Sequence, residues 1–337
     1  MSTVAESSVA VRDFVSADEA AVVDLLQRAF GFWPRALPGA AGADFFRWKH
    51  FDCPFGRSVT IVAEEHGEII GFVGRLPWPM RLGGRPVVAI RGVDLAVDPA
   101  WRRRGVSLAL MRAVIEREPA SVALNWNNPN RLSRGGLLQV GRRRPLSVPR
   151  FAALGQGPTQ RLRGALGRRT RASEGAVSAP SAAEVLSDEA FVSHLLGELP
   201  VRASRLETDR SVSYLRWRYG HFETYHAVRI DEHPHQHGLA IFRLRRRRSF
   251  SFCEVCELLA TDDRAARELL ASVKRSARAD ILCCLFPSRL QAARCGVLGQ
   301  LGAIELTVRP GAGYEGLPAE PKRRRSWGLS LGDLELL

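Results

Sequence analysis

Gly92-Val93-Asp94-Leu95-Ala96-Val97-Asp98-Pro99-Ala100-Trp101-Arg102-Arg103-Arg104-Gly105-Val106-Ser107-Leu108-Ala109-Leu110-Met111 reads as a strand, a tight turn, a basic glycine-bearing loop and the start of a helix. The helix should run from about Gly105 to Glu116, because Val106, Leu110, Ala113 and Val114 fall on one face. A helix N-terminus offers unpaired N–H groups and the positive end of the peptide dipoles, which together suit a pyrophosphate. Gly105 lets such an anion approach the main chain, and the small Ser107 keeps the first turn open. Arg102, Arg103 and Arg104 add charge that can pair with phosphate oxygens. A solvated basic turn ahead of an amphipathic helix is the plainer alternative.

Upstream, the pattern predicts a strand at Val11 to Val15 and a helix capped by Ser16 and ended by Gly31, with Val22, Leu25, Leu26 and Phe30 at helical spacing. Val59 to Glu64 and Glu68 to Leu76 alternate as strands around the His66-Gly67 turn, and a second turn at Leu82 to Pro86 separates Pro77 to Arg81 from Val87 to Val97. Downstream come a strand at Val122 to Trp126, a helix at Asn130 to Val140 and an extended piece at Pro145 to Val148. Trp327 to Asp333 reads as a final strand.

The two halves resemble each other at three places in the same order. Asp44-Phe45-Phe46-Arg47-Trp48-Lys49-His50 parallels Ser213-Tyr214-Leu215-Arg216-Trp217-Arg218-Tyr219, and Leu95 to Pro99 parallels Leu259 to Asp263. Asn130-Arg131-Leu132 with Gly141 parallels Ser288-Arg289-Leu290 with Gly299. These matches indicate tandem copies of one unit, 1–151 and 185–337. Residues 152–184, rich in Ala, Gly, Ser and Arg, form a linker in which Arg161 to Arg171 is a solvated connector or basic helix. In the second copy Ala266 and Leu269 stand at the places of Arg102 and Gly105, so a large side chain is expected where the anion would sit. That copy should close the substrate cleft, support the first unit or mediate dimerisation.

Arg102-x-x-Gly105-x-Ser107 resembles the Arg/Gln-x-x-Gly-x-Gly/Ala signature of the GNAT acyltransferases, with Ser at a position usually held by Gly or Ala. Val122 to Arg142 is similar to the closing strand-helix part of that family, with Asn130 introducing the helix and Gly141 following it. The resemblance implies a mixed α/β fold of two tandem GNAT-like domains, each a central mixed sheet flanked by helices. It implies acetyl-CoA or another short acyl-CoA as co-substrate, held by Leu95, Ala96, Val97, Arg102, Arg103, Arg104, Gly105, Val106, Ser107 and Asn130, with no metal. The family's usual Tyr acid is replaced by Leu137, and the first half has no tyrosine, so Ser133, a water or a group from the second half would protonate the sulfur.

Asp94 is the carboxylate placed to take the amine's proton, against a plainer role capping a turn or pairing with Arg91. Asn125 and Asn127-Asn128 could hydrogen-bond the substrate or the thioester carbonyl, or be ordinary loop polar residues. The activity implied is N-acetyl transfer to a small-molecule or peptide amine. A non-catalytic tandem-GNAT scaffold and an aminoacyl-tRNA-dependent transferase of the Fem type are the alternatives. The intact loop favours acyl-CoA over tRNA.

The 337 residues suit two domains, and a net charge of +14 suits an anionic ligand or a solvated basic face. The aromatic-basic clusters around Trp48 and Trp217 suggest inward-packed structural helices more than base-stacking surfaces. No apolar run nears the ~20 residues of a membrane span, and Met1 to Ala10 lacks a basic, apolar leader, so a cytoplasmic location is expected. Six sparse cysteines read as reduced thiols. Cys253 and Cys256 on one strand should face opposite ways, which argues against a shared zinc. His233, His235 and His237 read as a hairpin tip.

Overall fold

The computed structural model describes residues 9–31, 33–34, 41–130, 133–140, 144–155, 177–203, 205–232, 236–247, 250–286, 288–314 and 327–334. In the first half these form β1 (Ala10–Asp13), α1 (Glu19–Phe30), α2 (Gly42–His50), β2 (Val59–Glu65), β3 (Glu68–Leu82), β4 (Arg85–Val97), α3 (Val106–Glu116), β5 (Leu124–Asn127), α4 (Arg134–Gln139) and β6 (Arg144–Leu154). The second half gives α5 (Ala182–Ser187), α6 (Glu189–Glu198), β7 (Leu206–Thr208), α7 (Val212–Gly220), β8 (His226–Glu232), β9 (Gln236–Arg247), β10 (Phe250–Ala260), α8 (Asp263–Ala277), β11 (Ile281–Leu285), α9 (Arg289–Arg294), β12 (Gly299–Pro310), β13 (Trp327–Gly328) and α10 (Leu331–Leu334).

Turn chemistry sets the hairpins. Gly83 and Gly84, both at positive φ, make a two-residue connection between β3 and β4, whose right-handed twist such a turn matches. His66 and Gly67 do the same between β2 and β3. Two local expectations change. Ser16 lies in a 3-10 turn, and Asp18, which accepts from the Val15 amide at 2.9 Å, leads into α1. Trp327 to Asp333 contributes only a two-residue strand beside β7 before turning helical.

The described strands form one sheet whose main path runs β1-β2-β3-β4-β5-β12-β6-β11-β10-β9-β8. From β2 to β8 this order mirrors itself once β2 to β6 are matched with β8 to β12. β4 and β5 pair in parallel, as do β10 and β11, while β12 and β6 pair antiparallel at the centre. Each half therefore sends its last strand across: β12 lies against β5 of the first half, and β6 lies against β11 of the second. β2-β3-β4-α3-β5 in the first half is repeated as β8-β9-β10-α8-β11 in the second.

One face of the sheet carries a core common to both halves, in which Leu25, Phe46, Trp48 and Trp78 join Tyr214, Trp217 and Leu239. The opposite face is divided, with α3 covering Ile61, Ala63 and Val73, and α8 covering Ala240, Phe242 and Val255. Trp48 and Trp217 are buried inside the common core, as inward-packed structural helices require. Cys253 and Cys256 belong to opposite faces, and all six cysteines are buried free thiols. No described helix is long and apolar enough to cross a membrane. Arg131, Leu132, Gly141, Arg161 to Arg171, His233 and His235 lie outside the described residues, while His237 is buried on β9.

Candidate functional site

β4 and β5 pair only from Ala89 to Arg91, opposite Leu124 to Trp126. β5 continues along β12, with Asn127 opposite Thr307, so the two strands part as a fork. From Gly92 to Val97 the fork-side edge of β4 has no strand partner among the described residues. At about 3.3 Å per residue this open edge is on the order of 16 Å long. Asp94 and Leu95 together oppose the single residue Val73, and Asp94 takes φ +50°, so the strand bulges within the fork.

The open edge leads to the basic loop. Asp98 accepts from the Ala100 amide at 2.9 Å and turns the chain. Arg103 at φ +63° and Gly105 at φ +84° then reverse it into α3, which begins at Val106. Arg102, Arg103, Arg104 and Gly105 are all exposed, and nothing lies within 4 Å of the position a Gly105 Cβ would occupy. Arg102 is tethered to the Ala29 carbonyl at 3.0 Å, and Arg104 lies 4.8 Å from the Trp101 ring centroid. The N-terminus of α3 thus opens onto free space at Gly105 beside three exposed arginines, an arrangement suited to a phosphate.

At the bulge Asp94 meets Lys49 Nζ at 2.7 Å and His50 Nε2 at 3.1 Å, and His50 Nδ1 lies 3.1 Å from Ser58 Oγ. Burial alone would raise the Asp94 pKa, but Lys49 and His50 outweigh it and hold the carboxyl well below its usual range. Burial pushes the pKa of both Lys49 and His50 down, against the pull of Asp94. An ionised Asp94 accepts from Nε2–H, which leaves Nδ1 as acceptor for the Ser58 hydroxyl. The His50 ring fits because residue 74 is glycine: a Cβ there would lie 2.6 Å from His50 Cε1. The sequence reading did not single out Lys49, His50 and Ser58. A signal existed, since Lys49 and His50 lie four residues after Phe45 and Phe46 on an inward helix face.

The other expected residues are distributed as follows. Arg91 does not pair with Asp94. It lies between the rings of Trp78 and Trp126, with centroids at 5.1 and 4.9 Å, and donates to Asn128 Oδ1 and to the carbonyls of Asp333 and Leu334. Asn125 donates to Glu118 Oε1 at 2.5 Å, and Asn127 Oδ1 accepts from Thr307 Oγ1. Asn130 Oδ1 accepts from the Ser133 amide at 2.9 Å, and Ser133 Oγ lies 3.2 Å from the Asn130 amide; together they fix the start of α4. Leu137 is buried on α4. Tyr214 reaches into the first half, 5.8 Å from Trp78, with its hydroxyl donating to Asp333.

The second half has its own fork, where β10 and β11 part after Glu254 and Cys283. It encloses a cleft of about 490 Å³, but no phosphate loop stands at its end. α8 starts at once after Asp262, whose carboxylate accepts from the Ala265 amide at 2.7 Å. The residues that form the basic loop in the first half are helical here. Leu269 accordingly sits two turns inside α8, packed over Gly238, rather than at an anion's place.

Residues 10–126 match the family model of the acetyltransferase (GNAT) domain. Its fold is similar to a GCN5-related N-acetyltransferase from Anabaena variabilis, with TM-score 0.64 and 11% identity over 89% of this chain and 72% of the other. A GCN5-related N-acetyltransferase from Kribbella flavida gives 0.60 and 19% identity over 92% and 72%. The Saccharomyces cerevisiae N-myristoyltransferase with bound myristoyl-CoA gives 0.51 and 11% over 90% and 83%. Among curated proteins none matches the sequence. The matched domain and the shared fold support an acyl-CoA-dependent acyltransferase activity.

Proposed function

We propose that this protein transfers an acetyl or other short acyl group from coenzyme A to a primary amine of a small molecule or peptide. Residues 1–151 hold the acyl-CoA, 152–184 link the halves, and 185–337 form a GNAT-like unit without a phosphate loop. The observation that carries the reading is the alignment of the open β4 edge with the exposed loop at Gly105. The pantetheine arm adds to Leu95, Ala96 and Val97 like a strand, and the pyrophosphate takes the amides at Gly105, Val106 and Ser107 beneath Arg102, Arg103 and Arg104. Asn130 acts by fixing the start of α4 beside the cofactor, and Asn125 acts through Glu118.

In the reaction the neutral amine nitrogen attacks the thioester carbonyl carbon, so that a C–N bond forms as the C–S bond breaks. The amine's proton is taken up at Asp94, the member of the Asp94–His50 pair that stands on the fork strand, with His50 and Lys49 holding its carboxylate. The departing thiolate takes a proton from Ser133 or from water.

Thermal unfolding with acetyl-CoA, longer acyl-CoAs and tRNA tests this reading. A raised Tm with a CoA ester, followed by amine-dependent release of free CoA thiol, is the expected result. Stabilisation by tRNA with indifference to every CoA ester would overturn it.

A further inference from the structure

The apex of the first fork is polar where a short apolar acyl group would be served by an apolar wall. Arg75 on β3 pairs with Gly92, the first β4 residue past the fork, and its guanidinium occupies the space a Gly92 side chain would fill. Arg75 is buried, and neither Nε nor Nη2 has a hydrogen-bond partner among the described residues.

Its nearest carboxylate is already engaged. Glu118 Oε1 accepts from Asn125, Glu118 Oε2 pairs with Arg309, and Arg75 Nε stands 4.0 Å away, beyond hydrogen-bonding length. Two guanidinium groups thus face one carboxylate, leaving an excess positive charge at the apex. Burial, with the neighbouring charge of Arg309, pushes the Arg75 pKa down to about 10. Asn127 Nδ2 lies on the same spot, 3.1 Å from the Cβ position of Gly92, while its Oδ1 is held by Thr307. Buried donors without acceptors are expensive, and a guanidinium is matched best by a planar carboxylate.

We propose that Arg75 and Asn127 form a subsite for a carboxylate at the far end of the acyl group, so that the donor is a short dicarboxylic acyl-CoA such as malonyl- or succinyl-CoA. This rests on the reading of the first fork as the acyl-CoA site. With the pyrophosphate at Gly105 and the pantetheine along Leu95 to Val97, the acyl group points down the fork toward Gly92. Glycine at 92 leaves the Arg75 guanidinium uncovered by any side chain on that residue. The subsite concerns which acyl group is carried and leaves the transfer chemistry unchanged.

The test is calorimetric titration with acetyl-, propionyl-, malonyl- and succinyl-CoA, on the wild-type protein and on Arg75→Met. Malonyl- or succinyl-CoA should bind at least tenfold more tightly than the neutral esters, and Arg75→Met should erase that gap. Since the comparison is between esters on one protein, altered overall affinity does not confuse it. Should Arg75→Met fail to fold, Asn127→Leu is read in the same way and should narrow the gap. Equal binding of neutral and carboxylated esters, or a preference untouched by these substitutions, would overturn the subsite while leaving the acyl-CoA reading intact. Failure of all four esters to bind would overturn both.

Discussion

Trp48 and Trp217, 169 positions apart, donate to each other's backbone: Trp48 Nε1 to the Trp217 carbonyl at 2.8 Å, and Trp217 Nε1 to the Trp48 carbonyl at 3.0 Å. Their rings stack with centroids 5.0 Å apart. The reciprocity is what equivalent residues of two repeats show when they meet on a pseudo-two-fold axis, and it ties α2 to α7 across the common core. Trp217→Phe keeps an aromatic ring but leaves a buried carbonyl unpaired, and should cost about 1–2 kcal/mol. Trp217→Ala should cost about 3–5 kcal/mol. Urea unfolding followed by circular dichroism checks both, and a loss below a few tenths of a kcal/mol for Trp217→Ala would show that the two halves are held together elsewhere.

Gly105 separates backbone strain from occlusion. Its φ of +84° makes any side chain strained, yet the space around it is open. Gly105→Ala should therefore lower stability by about 1–2 kcal/mol. Gly105→Glu should do the same and also abolish the Tm rise produced by acyl-CoA, because a carboxylate then occupies the phosphate's place. Equal acyl-CoA shifts for the Ala and Glu variants would mean that the loop does not hold the pyrophosphate.

Gly74→Ala places a methyl group against His50 and, at 3.2 Å, against Val93 Cγ2. The ring must move away from Asp94 or Ser58. Stability should fall by about 1–3 kcal/mol, as in other overpacked sites. Turnover should drop at least tenfold with little change in the KM for acyl-CoA. A raised KM with unchanged kcat would remove His50 from any part in proton uptake at Asp94.

The buried His50 also makes a signed prediction for pH. Its native pKa is pushed below the ordinary 6.5 by burial, so between those two values the unfolded chain binds a proton that the native state does not. Stability should therefore decline as pH falls below about 6.5, with Asp94 and Lys49 as the charged groups facing the ring. His50→Gln should flatten that part of a urea-midpoint profile. A profile of unchanged slope would show that the ring is already protonated in the folded protein.

The sequence by itself determined whatever depends on near neighbours. Strand, turn, basic loop and helix from Gly92 to Met111 are fixed by local periodicity, by a proline turn and by a glycine at positive φ, and all four stand in the structure. Alternation along β10 placed Cys253 and Cys256 on opposite faces for the same reason. The equivalence of Trp48 and Trp217 was legible as a repeat, but their contact was not. Only the tertiary structure decided which strands lie side by side. A period of two says which residues share a face and nothing about the neighbour, so the crossing of β12 to β5, which gives Asn127 its partner Thr307, had no local signal. The same holds for Asp94, whose partners come from α2 rather than from Arg91 three residues away, and for Arg75, whose Nε and Nη2 are seen to lack hydrogen-bond partners among the described residues only once the fork has formed.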